Sequence, residues 1–277
     1  MSGRVRLNPF TVMALALLGL NSLSVLVPAV FVLFSSFKST REIFADPFAF
    51  PAALRLDNYL RVLEQASFIA YLRNSFIVTL AAVLVILVAS SLAGYALGRF
   101  RFRGNDLIYI FILSGMMLPL KLAIIPLFIM MRDLSLLDNH LSLILVYAAM
   151  GIPPGVFIMT GFFRSLPGEL DSAARVDGAS EWSILRYVML PLVRPALVIV
   201  AIYNAIPIWN DFFFPLVFIQ TQERKTIMQG MTVFFGQYQT EWSLLFAGLT
   251  LAALPLILLY LLMSDQFIKG LTSGAVK

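Results

Sequence analysis

The sequence has no cysteine, which excludes a disulfide framework, a thiolate metal site and a cysteine nucleophile, and leaves the redox compartment unmarked. It has a single histidine, His140. That residue reads as a solvated or interfacial side chain in a loop, so metal catalysis and a Ser/His/Asp arrangement lack support. A phosphate-binding loop of the form G-x-x-x-x-G-K-[ST] is missing as well. "GLTSGAVK" from Gly270 places its second glycine one position early, and no Lys-Ser pair follows. The chain is therefore read as no enzyme, with no catalytic residue, no cofactor and no metal of its own. Charge is also scarce, at 13% of residues.

Apolar mass takes the place of these missing features. Sixty per cent of the 277 residues are hydrophobic, 24 are Phe, and the mean hydropathy is +0.89. A soluble core and a wettable surface cannot accommodate that composition together, so the chain belongs in a membrane. The formal charge of +5 does not point to nucleic acid, because no basic block carries interleaved aromatics. Lys and Arg sit instead at the ends of apolar runs, as lipid flanks do.

About 20 mainly apolar residues cross a hydrocarbon core roughly 30 Å thick, and six runs meet that length: residues 12–34, 74–98, 107–131, 141–163, 195–220 and 242–264. The third carries only Lys121 and the fifth only Asp211. Helices are expected throughout, since lipid leaves each backbone amide to be satisfied within its own segment, and the alternating short strands of a barrel are absent. The first run follows Arg4 and Arg6 but exceeds the apolar core of a signal peptide, and no small-x-small cleavage site follows it, so it is read as a retained span. Eleven of the twenty Lys and Arg fall on one side if both termini are cytoplasmic. The compact "RFRFRGND" between the second and third runs favours that orientation. The expected division is a cytoplasmic terminus at 1–11, an extracytoplasmic loop at 35–73, a membrane core at 74–264 with a cytoplasmic loop at 164–194, and a cytoplasmic tail at 265–277.

The 164–194 loop is unusually polar for this chain. In "SLPGEL", Pro167 and Gly168 break the fourth run, and Glu169 and Asp171 then occupy the first turn of a new helix, where the macrodipole favours acids. Leu170, Ala173 and Ala174 share a face. Gly178 interrupts, and a second short helix is expected with Trp182, Leu185 and Val188 aligned opposite Glu181 and Arg186, ended by Pro191. Two readings fit this pattern: a bent helix pair with small residues at the bend for close approach by another protein, or a helix lying in the lipid interface.

Three further features each allow two readings. Asp211, with Trp209 and Asn210, either lines a solute pathway by stacking and hydrogen bonding or pairs with a backbone group or cation at an interface. Lys121 reads as snorkelling to the outer surface. "GIPPG" at 151–155 weakens the fourth helix, either lining a pathway or forming a packed kink. Gln237, Tyr238 and Gln239 lie in an amide- and aromatic-rich outer loop, and they either contact a partner or rest on headgroups. The small residues of "ASSLAGYALG" at 89–98 predict close helix packing.

Ser172-Ala173-Ala174, Gly178 after three residues, and Val188-Met189-Leu190-Pro191 after nine more resemble the cytoplasmic loop of ATP-binding-cassette importer permeases: Glu-Ala-Ala, Gly, Ile-x-Leu-Pro. Ser172 stands where that pattern has glutamate, and Glu169 or Asp171 just before it is the candidate substitute for that carboxylate. "SSFKSTREIF", "NYL", "LRNSFIVT", "LSLLDNHLSLIL", "WNDFFFPL" and "GLTSGAVK" are similar to the carbohydrate-importer, maltose-type branch. The resemblance implies an all-α permease of six spans with the type I importer (MetI-like) fold, in a complex with a second permease, two ATPase subunits that hold the ATP, and an extracytoplasmic solute-binding protein. It implies that Glu169, Ser172, Ala173, Ala174, Gly178, Trp182 and Pro191 form the ATPase-coupling element. It also implies that the outer loop reaches the binding protein. The rival reading is an ion-gradient-driven secondary transporter or channel with Asp211 and Lys121 as coupling charges.

Overall fold

The computed structural model describes residues 8–64, 67–236 and 240–275. Among the described residues the named elements are all helical, and the one β-bridge, Phe235 to Thr240, is isolated. The chain divides into two compact units: Met1–Ala66 with Met231–Leu254, and Ser67–Gly230 with Pro255–Lys277.

In the first unit, α1 (Pro9–Ser35) opens with proline in its first turn, where the missing N–H costs nothing. No residue of its most apolar 18-residue window is buried, as expected for a helix with lipid on all sides. Helix α2 (Thr40–Ala45) starts with a reciprocal cap between Ser39 and Glu42, and α3 (Asp57–Glu64) follows. The "SSFKS" and "NYL" segments interlock here. Asn58 Nδ2 donates to the carbonyls of Ser36 and Lys38, and the Ser36 and Tyr59 hydroxyls share a hydrogen bond. Lys38, 1% exposed, donates its ammonium to the carbonyls of Asp46 and Pro47.

The second unit is organised around two long helices, α4 (Phe68–Arg99) and α7 (His140–Ser165). Between them lie α5 (Asn105–Ser114) and α6 (Ile124–Asp133). Small residues let α4 and α7 approach closely, as the 89–98 run predicts. A Cβ on Gly94 would lie 2.6 Å from Met159 Cβ, and one on Gly151 would collide with Ile86 Cδ1. Pro153 and Pro154 sit inside α7 without ending it, and Gly155 packs on Ser90. His140 is the first residue of α7 rather than a loop residue, and Asn139 caps that helix by accepting from Leu141 N.

The remaining elements are α8 (Glu169–Val176), α9 (Glu181–Ser183), a wide π turn (Ile184–Met189), α10 (Leu190–Leu192), α11 (Arg194–Asn210), α12 (Phe213–Phe218), α13 (Ile227–Gly230) and α14 (Trp242–Ala275). Helix α14 begins in the first unit and ends in the second.

Two predicted spans are discontinuous. Helix α5 passes through a short 3₁₀ turn at Gly115–Met117 into turns at Leu118–Ala123, where Pro119 removes a donor, and only then into α6. Helix α11 stops at Asn210, and Asp211 has extended backbone before α12. Among the described residues, four helices are long and apolar enough to cross a membrane, or five if the Glu181–Leu192 and Arg194–Asn210 pair, bent by 75°, counts as one span.

Candidate functional site

The polar 169–191 segment is bent about Gly178, whose φ of +79° lies in the left-handed region that only glycine enters freely. Ser180 caps the second helix by accepting from Ser183 N. Arg175 Nε donates to Glu181 Oε1 at 2.7 Å across the bend, and the Tyr95 hydroxyl donates to Glu181 Oε2 at 2.9 Å. The Arg175 guanidinium holds the Glu181 carboxyl below the usual carboxylate range against the opposing effect of burial, and Tyr95 adds to the lowering.

A second link fixes the segment to the long helices. Arg99 Nε donates to Asp171 Oδ2 at 2.6 Å, and the two side chains are each 7% exposed. The same guanidinium donates from Nη1 to the carbonyls of Phe163 and Leu166 and from Nη2 to that of Pro167. One arginine at the end of α4 thereby satisfies the orphan carbonyls at the end of α7 and the first-turn acid of α8. Asp171 carries this ion pair, whereas Ser172 is exposed and donates its hydroxyl to Gly168 O. Arg99 begins the basic "RFRFRGND" run, which the sequence marks only as a topology signal.

The segment turns its apolar residues two ways. Leu170, Ala174 and Ala179 pack on the core, and Ile184, Leu185 and Met189 are buried in it. Val176, Trp182 and Tyr187 are 88%, 60% and 69% exposed. Ala173, Gly178 and Glu169 are exposed too. The expected common face of Trp182, Leu185 and Val188 is not formed, because the π turn changes the angular spacing, so Leu185 faces the core while Trp182 remains outside. Pro191 does not end the helix as expected. It falls two residues past the π turn, inside α10, and the break comes at Val193.

In the membrane core, Asp211 follows the last residue of α11. Its Oδ2 accepts from Phe214 N at 3.0 Å and from the Tyr147 hydroxyl at 2.9 Å. Lys121 Nζ lies 3.8 Å from Oδ1 and 5.8 Å from the Phe213 ring centroid, so it pairs with Asp211. Lys121, Tyr147, Asp211 and Phe214 border a cavity of about 240 Å³ that Tyr203 and Asn204 also line. Trp209 is 4% exposed and lines a separate apolar cavity with Val83 and Leu87. Asn210 donates to Ile206 O on its own helix. The structure therefore does not bring Trp209 and Asn210 to Asp211's cavity.

Gln237, Tyr238 and Gln239 lie outside the described residues. The chain leading to them is firmly held. Asn74 Nδ2 donates to the carbonyls of Glu223 and Lys225, Ser75 Oγ accepts from Ile227 N, and His140 Nε2 contacts Arg224 O at 2.7 Å. Burial pushes the Asp138 carboxyl up, but hydrogen bonds from Thr221 Oγ1, Thr221 N and Gln220 N, aided by Arg224, leave it below the usual range.

This architecture has known counterparts. Residues 86–273 match the family described as "Binding-protein-dependent transport system inner membrane component". The diacetylchitobiose uptake system permease protein NgcG of Streptomyces coelicolor is 36% identical over 270 residues, covering 97% of this chain and 89% of that protein. The melibiose/raffinose/stachyose import permease protein MelC of Bacillus subtilis is 32% identical over 91% of this chain and 91% of that protein. A chain from the crystal structure of a bacterial ABC transporter, involved in the import of the acidic polysaccharide alginate, matches with a TM-score of 0.82 at 25% identity over 96% of this chain and 100% of that one. The fold is accordingly that of an ABC-importer permease, all-α and MetI-like. The chain belongs to the family of inner membrane components of binding-protein-dependent transport systems.

Proposed function

We propose that this chain is the permease subunit of an ATP-driven, binding-protein-dependent sugar importer, and that it forms half of the translocation pathway. The observation that carries the reading is the family match over residues 86–273, which includes the whole clamped 169–191 segment. The relatives named for diacetylchitobiose and for melibiose, raffinose and stachyose, and the alginate importer, share a carbohydrate cargo. Sugar is therefore the cargo class proposed here.

In this reading the partners are a second permease, two ATP-binding-cassette subunits that hold the ATP, an extracytoplasmic solute-binding protein and the lipid bilayer. Both termini and the 164–194 loop are cytoplasmic. Val176, Trp182 and Tyr187, exposed on an otherwise anchored segment, enter a groove on one ATPase subunit, with Glu169, Ser172, Ala173, Ala174 and Gly178 at its edge and Pro191 behind. Closure of the ATPases on nucleotide moves the bent pair as a rigid lever. The segment biases the spans only if it contacts the ATPase differently in the two states. Gln237, Tyr238 and Gln239 of the outer loop contact the binding protein.

Purification of the tagged chain from its native membrane tests this reading. Recovery of two ATPase copies with a second permease supports it. Recovery of a lone homo-oligomer whose sugar uptake follows an ion gradient and survives loss of the ATPases contradicts it and favours Asp211 and Lys121 as coupling charges.

A further inference from the structure

Two broken spans meet at one cavity. Lys121 comes from the irregular Leu118–Ala123 stretch between α5 and α6, and Asp211 from the break between α11 and α12. Irregular backbone at membrane depth persists only where it is buried in protein or lines a water-filled space, and discontinuous helices at that depth are a recurrent way to build a solute site. Tyr147 of α7 and Tyr203 and Asn204 of α11 complete the walls of the cavity, about 240 Å³ in volume.

The chemistry of these walls differs from that of a lipid-facing groove. Asp211 is held in place by Tyr147 and Phe214 N, so its remaining oxygen is a fixed acceptor. Tyr203 is 54% exposed, and its hydroxyl makes no hydrogen bond among the described residues. Its ring is thus a free aromatic surface beside a carboxylate, an ammonium and a carboxamide. An apolar ring face with hydroxyls around its edge is complementary to that set: the face lies on Tyr203 and the hydroxyls reach Asp211, Asn204 and Lys121. Ligand pockets run to about 300–1,000 Å³, so this smaller cavity has room for one sugar ring and not for a chain of them.

Charge narrows the class. Asp211 and Lys121 balance formally, but the Asp211 side chain is 10% exposed and that of Lys121 is 61% exposed. The negative group is therefore the one set into the wall, where a second carboxylate brought alongside is repelled. We infer that this chain itself contacts the cargo, holding a single neutral sugar ring between Tyr203 and the Asp211–Lys121 pair, and that it disfavours uronic acids. This inference rests on the importer reading and names the substrate class of its pathway.

Scintillation binding to the detergent-solubilised, nucleotide-free complex of both permeases and both ATPases, without binding protein, tests it. The probes are radiolabelled melibiose, N,N′-diacetylchitobiose and cellobiose as neutral sugars, and digalacturonate as an acidic one. At least one neutral disaccharide should bind, Tyr203→Ala should weaken it roughly tenfold, the worth of one good aromatic contact, and Tyr203→Trp should restore it. Phe157→Ala, exposed on α7 and outside the cavity, should bind as the parent does. Binding that Tyr203→Ala leaves unchanged, no binding of any neutral probe, or equal binding of digalacturonate overturns the inference. ATP hydrolysis by the same preparation separates the two readings: a complex that hydrolyses ATP yet binds no sugar contradicts the subsite, whereas a chain that assembles with no ATPase contradicts the importer.

Discussion

Arg99 and Asp171 are 72 positions apart in sequence and 2.6 Å apart in space, each with 7% of its side chain exposed. Their ion pair, with three carbonyls on the same guanidinium, joins the ends of both long helices to the bent polar segment. Removing one member of a buried, hydrogen-bonded pair costs about 3–5 kcal/mol, because the other charge is left without compensation. Asp171→Asn and Arg99→Ala should each lower the thermal midpoint of the purified complex by several degrees. The double variant should fall short of the sum of the two, as a coupled pair requires.

Gly178 tests the bend separately. With φ at +79°, alanine there costs about 1–2 kcal/mol of backbone strain, although a Cβ at this position meets nothing within 4 Å. Gly178→Ala should therefore reduce sugar-stimulated uptake severalfold while α4 and α7 retain their helical circular dichroism. Gly151→Ala should do the reverse. It forces Ile86 and Asn204 aside, at about 1–3 kcal/mol of overpacking, so it should lower stability before it alters coupling.

The Arg175–Glu181 pair predicts how the bend responds to pH. Its Glu181 carboxyl titrates below the ordinary value in the folded chain. The contribution is thus fully present above the ordinary glutamate pKa of about 4.3 and is lost as pH falls through the lowered value. A spin label at Val176 should show the same mobility from pH 6 to 8 and greater mobility once pH falls through the lowered Glu181 value. In Glu181→Gln the mobility should already be raised at pH 7 and should stay flat.

Trp182 and Tyr187 predict a loss of association without a loss of fold. Both are more than half exposed, so Trp182→Ala should leave the melting temperature of the permease unchanged and weaken capture of the ATPase at least tenfold. Interface aromatics often contribute 2 kcal/mol or more. Pull-down yield against ATPase concentration reads this directly.

The apolar runs were legible because hydropathy and run length are local properties, and the 169–191 motif because its spacing is local too. The breaks at Leu118–Ala123 and at Asp211 were not, since hydropathy does not register the path of the backbone. Pro119 and the charge of Asp211 were their only written signs. The outward turn of Trp182 escaped the 3.6-residue period because a π turn inserts an extra residue into the register. The Arg99 clamp, the Asp211–Tyr147 bond and the burial of Trp209 depend on long-range packing, which no window of sequence contains.

The central claim is that the 169–191 segment is gripped by a separate nucleotide-hydrolysing subunit. The chain has no cysteine, so a single Cys introduced at the exposed Ala173 or Val176 reports on its surroundings without background. Photo-crosslinking from that thiol in native membranes should yield an adduct containing the ATPase, with a yield that changes on adding ATP. Adducts with lipid alone, identical with and without nucleotide, would contradict the account.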